Sequence, residues 1–199
     1  MPKIGLISAS MCGVLLTNGK IAENAPFGVG AITYAMELAR QRAGIEDEEQ
    51  YVSFAMERGI ELEWAALETY QERNLVELHG QQEWGAHPDF PYFGGTPDGL
   101  VGTVGGVDAK CRNNKEQHEY IKNGIGKKDT DQFQAYMMIF GREWWDLGAY
   151  NPRFPEPLDL VTHRLYPDPA WVEKMTERLP LFEAIVQRET EYLLEKLNN

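Results

Sequence analysis

Only two cysteines, Cys12 and Cys111, occur in 199 residues. That is too few for a disulfide framework or for the four thiolates of an iron–sulfur cluster. The four histidines, His79, His87, His118 and His163, are scattered without the spacing of a metal-binding pair. Long apolar runs are missing too, and nothing approaches the roughly 18 residues that a membrane span needs. The opening Met-Pro-Lys-Ile-Gly-Leu-Ile has neither the length nor the flanks of a signal peptide. These absences set the expectation of a cytoplasmic protein with no membrane partner. Apolar residues at 43% and charged residues at 25% indicate a folded chain, and the length favours one domain over residues 1–199.

Positive charge is scarce as well. Lys and Arg number 19 against 31 Asp and Glu, a net charge of −12, which argues against a partner as anionic as nucleic acid. The distribution weakens that exclusion. Residues 110–128, KCRNNKEQHEYIKNGIGKK, carry six basic residues against Glu116 and Glu119, whereas residues 46–83 carry eleven acids against Arg58 and Arg73. The basic stretch is either an ordinary solvated face or a surface that meets phosphate.

What is present alternates between helical and strand-like patterns. FGVGAITYAMELARQRAG (27–44) has helical spacing with Gly44 as a stop, and 48–74 reads as a long helix or a pair broken near Gly59. Periodicity does not separate Glu61 or Glu63 from the acids of a solvated face. Short strand-like segments with glycine turns follow over 75–87 and 90–111, with a hairpin expected around Gly105-Gly106. A helix pair (114–122 and 128–141), strands at 144–152 and 159–167, and a C-terminal helix to about Lys196 complete the chain, with Asp168 as its N-cap. The aromatic residues of 144–150 read as core rather than as a platform for stacked bases. The order predicts an α/β fold with a mixed central sheet flanked by helices.

The chemistry concentrates in GGTPDGLVGTVGGVDAKC (94–111). Residues two apart on a strand share a face, so Asp108 and Lys110 point together while Ala109 faces the other way. Asp98, in a Pro-Asp-Gly turn, can approach Asp108 across the hairpin. Two carboxylates brought together repel unless a proton or a cation neutralises them. Oxygen ligands suit Mg²⁺ or Mn²⁺, which keep bound water and take phosphate oxygens. The plainer alternative is a turn aspartate beside a surface ion pair worth little, and spacing alone leaves both open.

The set Pro97-Asp98…Asp108-Ala109-Lys110 resembles the PD-(D/E)xK nuclease signature. Its surroundings are similar to the lambda-exonuclease, or YqaJ-type, viral recombinase family in four ordered stretches: GLISAS (5–10), ERGIELEWAA (57–66), TPDGLVG…GGVDAKC (96–111), and DQFQAYM (131–137) with YNPR (150–153). The resemblance implies a restriction-endonuclease-like core and a 5′→3′ exonuclease acting on ends of double-stranded DNA in a bacterial host cell. Mononucleotides would be released and 3′ single-stranded tails left for recombination. It also implies Mg²⁺ (with Mn²⁺ as substitute) held by Asp98, Asp108 and the Ala109 carbonyl. Lys110 would activate the water, with Glu63 and Gln132 in support, and Lys3, Ser10 and Thr96 would bind the 5′-phosphate. Arg112 stands where relatives often have proline and would add a phosphate contact; Asp108 stands where the family usually has Glu, and Lys3 where it has Arg. A homotrimeric ring and a single-strand annealing protein are the implied partners. Two other readings stand beside it: an endonuclease of the same fold, which would use the same acids and cut closed circles, and a non-catalytic DNA-binding scaffold, against which the intact Asp98, Asp108 and Lys110 argue.

Overall fold

β-strand alternation and helical spacing resolve into eight strands and five helices among the described residues of the computed structural model. These are 4–20, 25–45 and 54–199, with the backbone alone described over 54–61. Lys3 and the acidic run 46–49 lie outside them, as does the Glu61 side chain. The strands are β1 (Ile7–Ser8), β2 (Leu78–His79), β3 (Gly85–Ala86), β4 (Phe93–Gly95), β5 (Gly99–Val101), β6 (Gly105–Cys111), β7 (Trp144–Tyr150) and β8 (Leu160–Leu165). The helices are α1 (Val29–Arg42), α2 (Phe54–Asn74), α3 (Asn114–Asn123), α4 (Lys127–Phe140) and α5 (Pro169–Leu197), with a short 3-10 turn at Cys12–Leu16.

The main sheet has the order β2-β5-β6-β7-β8, with β6 and β7 parallel and the other pairs antiparallel. Its two faces follow from the period of two along each strand. Val107 and Ala109 of β6 pack with Ala66, Leu67 and Tyr70 of α2. Trp145, Leu147 and Ala149 of β7 join Phe133 and Met137 of α4 and Met175, Leu179 and Phe182 of α5 in the larger core. Each large side chain removed from water in this way stabilises the fold by about 1.5–3 kcal/mol. The result is the expected mixed sheet flanked by helices.

Two local features differ from the sequence reading. A second sheet, of order β1-β4-β3, stands beside the first, built from strands of two or three residues whose patterns are too short to read. The hairpin turns at Gly102, where φ is +52°, rather than at Gly105-Gly106. Those two glycines begin β6 because the Trp144 and Trp145 rings lie across them, and a Cβ at either would come within 2.1–2.2 Å of a ring carbon. Of the two readings offered for 48–74, the single helix holds over the described part: α2 runs unbroken through Gly59.

Caps and clips fix the ends. Asn113 and Glu116 form a capping box, each side chain accepting the other's backbone N–H at 3.0 Å, so α3 begins with only two residues between it and β6. The Asp168 carboxylate accepts from the N–H groups of Ala170 and Trp171, as expected of an N-cap. Arg42 grips Glu183 with two hydrogen bonds of 2.7 and 2.9 Å, tying α1 to α5. No described helix is long and apolar enough to cross a membrane.

Candidate metal centre

β5 begins at Gly99, opposite Val107, so β6 runs on past its antiparallel neighbour from Asp108 to Cys111. Asp98 takes the place of the missing strand. Its Oδ2 accepts the Ala109 N–H at 2.8 Å, and its own N–H donates to Asp108 Oδ1 at 3.3 Å. A residue's N–H and C=O leave a strand at the same edge, so the Ala109 carbonyl is directed to the side where Asp98 lies. The alternation expected from sequence holds: Ala109 is buried against α2. Asp108 and Lys110 share the opposite face, with Lys110 Nζ 3.3 Å from Asp108 Oδ2.

α4 supplies the next contacts. Gln132 Nε2 donates to Asp108 Oδ2 at 3.4 Å and to the Tyr136 hydroxyl at 3.0 Å. That hydroxyl donates to the Thr96 carbonyl at 2.8 Å, anchoring the turn that carries Asp98. Glu63 arrives from α2 on the other face of the sheet, and its Oε1 accepts from Gln82 Nε2 at 2.6 Å.

The electrostatics are those of a site short of positive charge. Burial, and then the nearby Asp98, push the Asp108 carboxyl well above the ordinary carboxylate range. Asp98 is raised by burial, with Lys110 pulling the other way. Glu63 is raised by burial and by Asp98, again opposed by Lys110. Burial disfavours the Lys110 charge, but Asp108 and Asp98 outweigh it and hold the ammonium above its usual value. One lysine thus faces four acids, Asp98, Asp108, Glu63 and Asp129.

The donor set fits a hard divalent cation. Two carboxylates and a backbone carbonyl are oxygen donors, the ligands that Mg²⁺ takes while keeping several waters. No group of three acid, histidine or cysteine side chains converges to enclose an ion among the described residues. A cation here would therefore rely on water and substrate oxygens for the rest of its coordination.

The residues expected to hold phosphate divide. β1 and β4 pair in parallel, Ser8 beside Gly94, and Ser10 and Thr96 each follow two residues after that pair. Ser10 is exposed, with its Oγ 2.9 Å from Ser8 Oγ. Arg112 is drawn to Asp129 of α4 at 2.6 Å. Lys3 lies outside the described residues.

Three further residues adjoin the candidate positions without having been singled out individually in the sequence. Lys127 and Lys128, in the first turn of α4, line a cavity of about 450 Å³ together with Ser10, Gly13 and Asp131. Their signal was the basic end of NGIGKK, which shows charge but not its neighbour in space. Gln82 carries no pattern at all. Cys12 is buried and donates to the Asp131 carbonyl at 3.4 Å, while Cys111 is half-buried.

The YqaJ-like viral recombinase domain matches residues 4–143. No curated protein matches the sequence. Among solved structures, an alkaline exonuclease, LHK-Exo, from Laribacter hongkongensis is 30% identical, with a TM-score of 0.84 over 98% of this chain and 95% of that one. The same protein in complex with dAMP matches to the same extent. A phage-related exonuclease from Haemophilus somnus 129PT shares the fold, with a TM-score of 0.70 at 15% identity over 96% of both chains. With a family model matched over most of its length and a 30% identical relative spanning nearly all of it, this chain belongs to the YqaJ-like viral recombinase family.

Proposed function

We propose that the chain is a Mg²⁺-dependent 5′→3′ exonuclease. It degrades one strand of linear double-stranded DNA to mononucleotides and leaves 3′ single-stranded tails for recombination. The observation that carries the reading is the junction of Asp98 and Asp108 past the start of β5, with Lys110 on the same face. Family membership and the likeness to an alkaline exonuclease support it.

Asp98, Asp108 and the Ala109 carbonyl would hold the cation. When bound, Mg²⁺ lowers the pKa of a coordinated water and offsets charge that builds at phosphorus. Lys110 directs its ammonium hydrogens at the attacking water and a phosphate oxygen, and Glu63 accepts a hydrogen bond from that water. Gln132 orients Asp108 through Oδ2. Mn²⁺, with the same preference for oxygen, substitutes for Mg²⁺.

The 5′-phosphate sits beside Ser10 and Thr96, with Lys3 as one cation. Lys127 and Lys128 add charge from the adjoining cavity, and Arg112 adds a separate phosphate contact. A homotrimer enclosing DNA would keep the acidic exterior away from the substrate, and a single-strand annealing protein would take the 3′ tail.

The test uses a linear duplex labelled at the 5′ end of one strand or the 3′ end of the other, with 5′-phosphate or 5′-hydroxyl. Early release of 5′-label as mononucleotide, with the 3′ label retained, is expected. Lys127→Ala/Lys128→Ala should slow digestion of the phosphorylated end by about 10-fold, the equivalent of one lost charge-assisted contact, and change the hydroxyl end less. Early release of the 3′ label would overturn the polarity, and equal slowing on both ends would remove the lysines from the phosphate pocket.

A further inference from the structure

Gln82 joins the two elements that meet at the metal centre. It lies between β2 and β3 with a left-handed backbone, φ +59°, a conformation uncommon for a residue with a side chain. Its side-chain amide donates to Glu63 Oε1 at 2.6 Å. Its backbone N–H donates at 3.1 Å to the carbonyl of Pro97, the residue before Asp98. One residue therefore holds a carboxylate from α2 and the turn that carries an acid from the opposite side of the cleft.

The link matters because strand alternation does not set the Glu63 position. Asp108 and Lys110 are registered by β6 itself, but Glu63 belongs to a helix on the other face of the sheet. Helix packing alone leaves a long carboxylate side chain several rotamers, and a functional group needs its supporting contacts to fix it to within about 0.5 Å. A charge-assisted hydrogen bond of 2.6 Å from a neighbouring turn supplies that restraint.

We infer that Gln82 is a positioning residue of the nuclease site, its amide holding Glu63 toward Asp98 and Lys110 while its main chain holds the Asp98 turn in the same register. The inference rests on the nuclease reading above. A surface glutamine with no such role would make the same contacts without changing turnover, so kinetics separate the two.

The experiment compares Gln82→Gly, Glu63→Gln and the double variant with wild type on linear duplex, across DNA and Mg²⁺ concentrations, with melting temperatures beside them. Glycine adopts the left-handed backbone freely, so Gln82→Gly removes the amide without straining the turn. The expected result is a fall in kcat of about 10-fold, the lower end of what losing a supporting contact costs, with KM for DNA and the melting temperature unchanged. In the Glu63→Gln background the same change should cost less than about twofold, because two residues acting through one contact are not additive. Wild-type kcat in Gln82→Gly, or losses that multiply independently, would overturn the inference and leave the nuclease reading intact. An inactive wild type would sink the nuclease reading and this inference with it.

Discussion

Two aspartates sit on neighbouring strands of one sheet, equally hidden from water and differently served. Asp146 of β7 is 2% exposed; Arg164 holds it with two hydrogen bonds of 2.8 Å, and the Tyr70 hydroxyl adds one of 2.7 Å. Asp108 of β6 is 1% exposed, yet its contacts are at 3.3 to 3.4 Å and its neighbour is a second carboxylate. The Arg164 guanidinium also stacks on the Trp144 ring at 3.6 Å and is held well above its ordinary pKa, chiefly by its hydrogen bonds to Asp146. A buried charge is tolerated when it is paired and hydrogen-bonded. Asp146 meets that condition and clips α2 to the sheet. Asp108 falls short of it, and the shortfall is what a divalent cation would fill.

Substitutions should break the two sites in opposite ways. Lys110→Ala and Asp108→Asn are expected to lower the rate on linear duplex by about 10²–10⁴-fold, the range for losing a group that handles a proton or charge in the transition state. Asp108→Asn should also leave stability equal or higher, because it removes repulsion. Asp146→Ala should do the reverse, costing about 1–3 kcal/mol in denaturant unfolding by orphaning Tyr70 and Arg164, with turnover per folded molecule unchanged. A stable, inactive Asp146→Ala would blur the contrast.

Cation binding sharpens it further. A cation that binds only the folded state stabilises by about 2.7 kcal/mol at a concentration of 100 Kd. Melting curves with Mg²⁺ or Mn²⁺ should therefore shift upward for wild type and for Asp146→Ala, and stay fixed for Asp98→Asn/Asp108→Asn.

Much of the centre is legible in the residues themselves. Asp108, Ala109 and Lys110 are ordered by strand alternation, a local rule, and Asp98 comes near them because one short hairpin separates the segments. The fold class follows from the same local patterns. The second sheet is not legible, because two- and three-residue strands carry no period. Gly105 and Gly106 read as a turn, yet they make room for tryptophans nearly 40 positions later, a reason that exists only in the folded chain. Lys127 and Lys128 meet the 3-10 turn that follows β1 and Gln82 meets α2, and no spacing along the chain announces such meetings.

The smallest expected effect belongs to a surface ion pair. Arg73 donates to Asp159 at 2.8 and 3.0 Å, and these hydrogen bonds hold Asp159 below the usual carboxylate range. A lowered carboxyl pKa contributes stability that is present above the unfolded-state value and is lost as pH falls through the folded-state one. Asp159→Asn should thus cost about 0.2–1 kcal/mol at neutral pH. In urea titrations the difference from wild type should shrink below about pH 4, where an unperturbed aspartate takes up its proton.

The most direct test of the metal centre is digestion of linear duplex with 5′-phosphate ends beside closed circular DNA, with Mg²⁺ or EDTA, for wild type, Lys110→Ala and Asp108→Asn. Loss of the linear DNA alone, dependent on Mg²⁺ and abolished by both substitutions, is the predicted result. Cutting of the circle would make the protein an endonuclease. Digestion that survives EDTA or Asp108→Asn would contradict a cation held between Asp98 and Asp108.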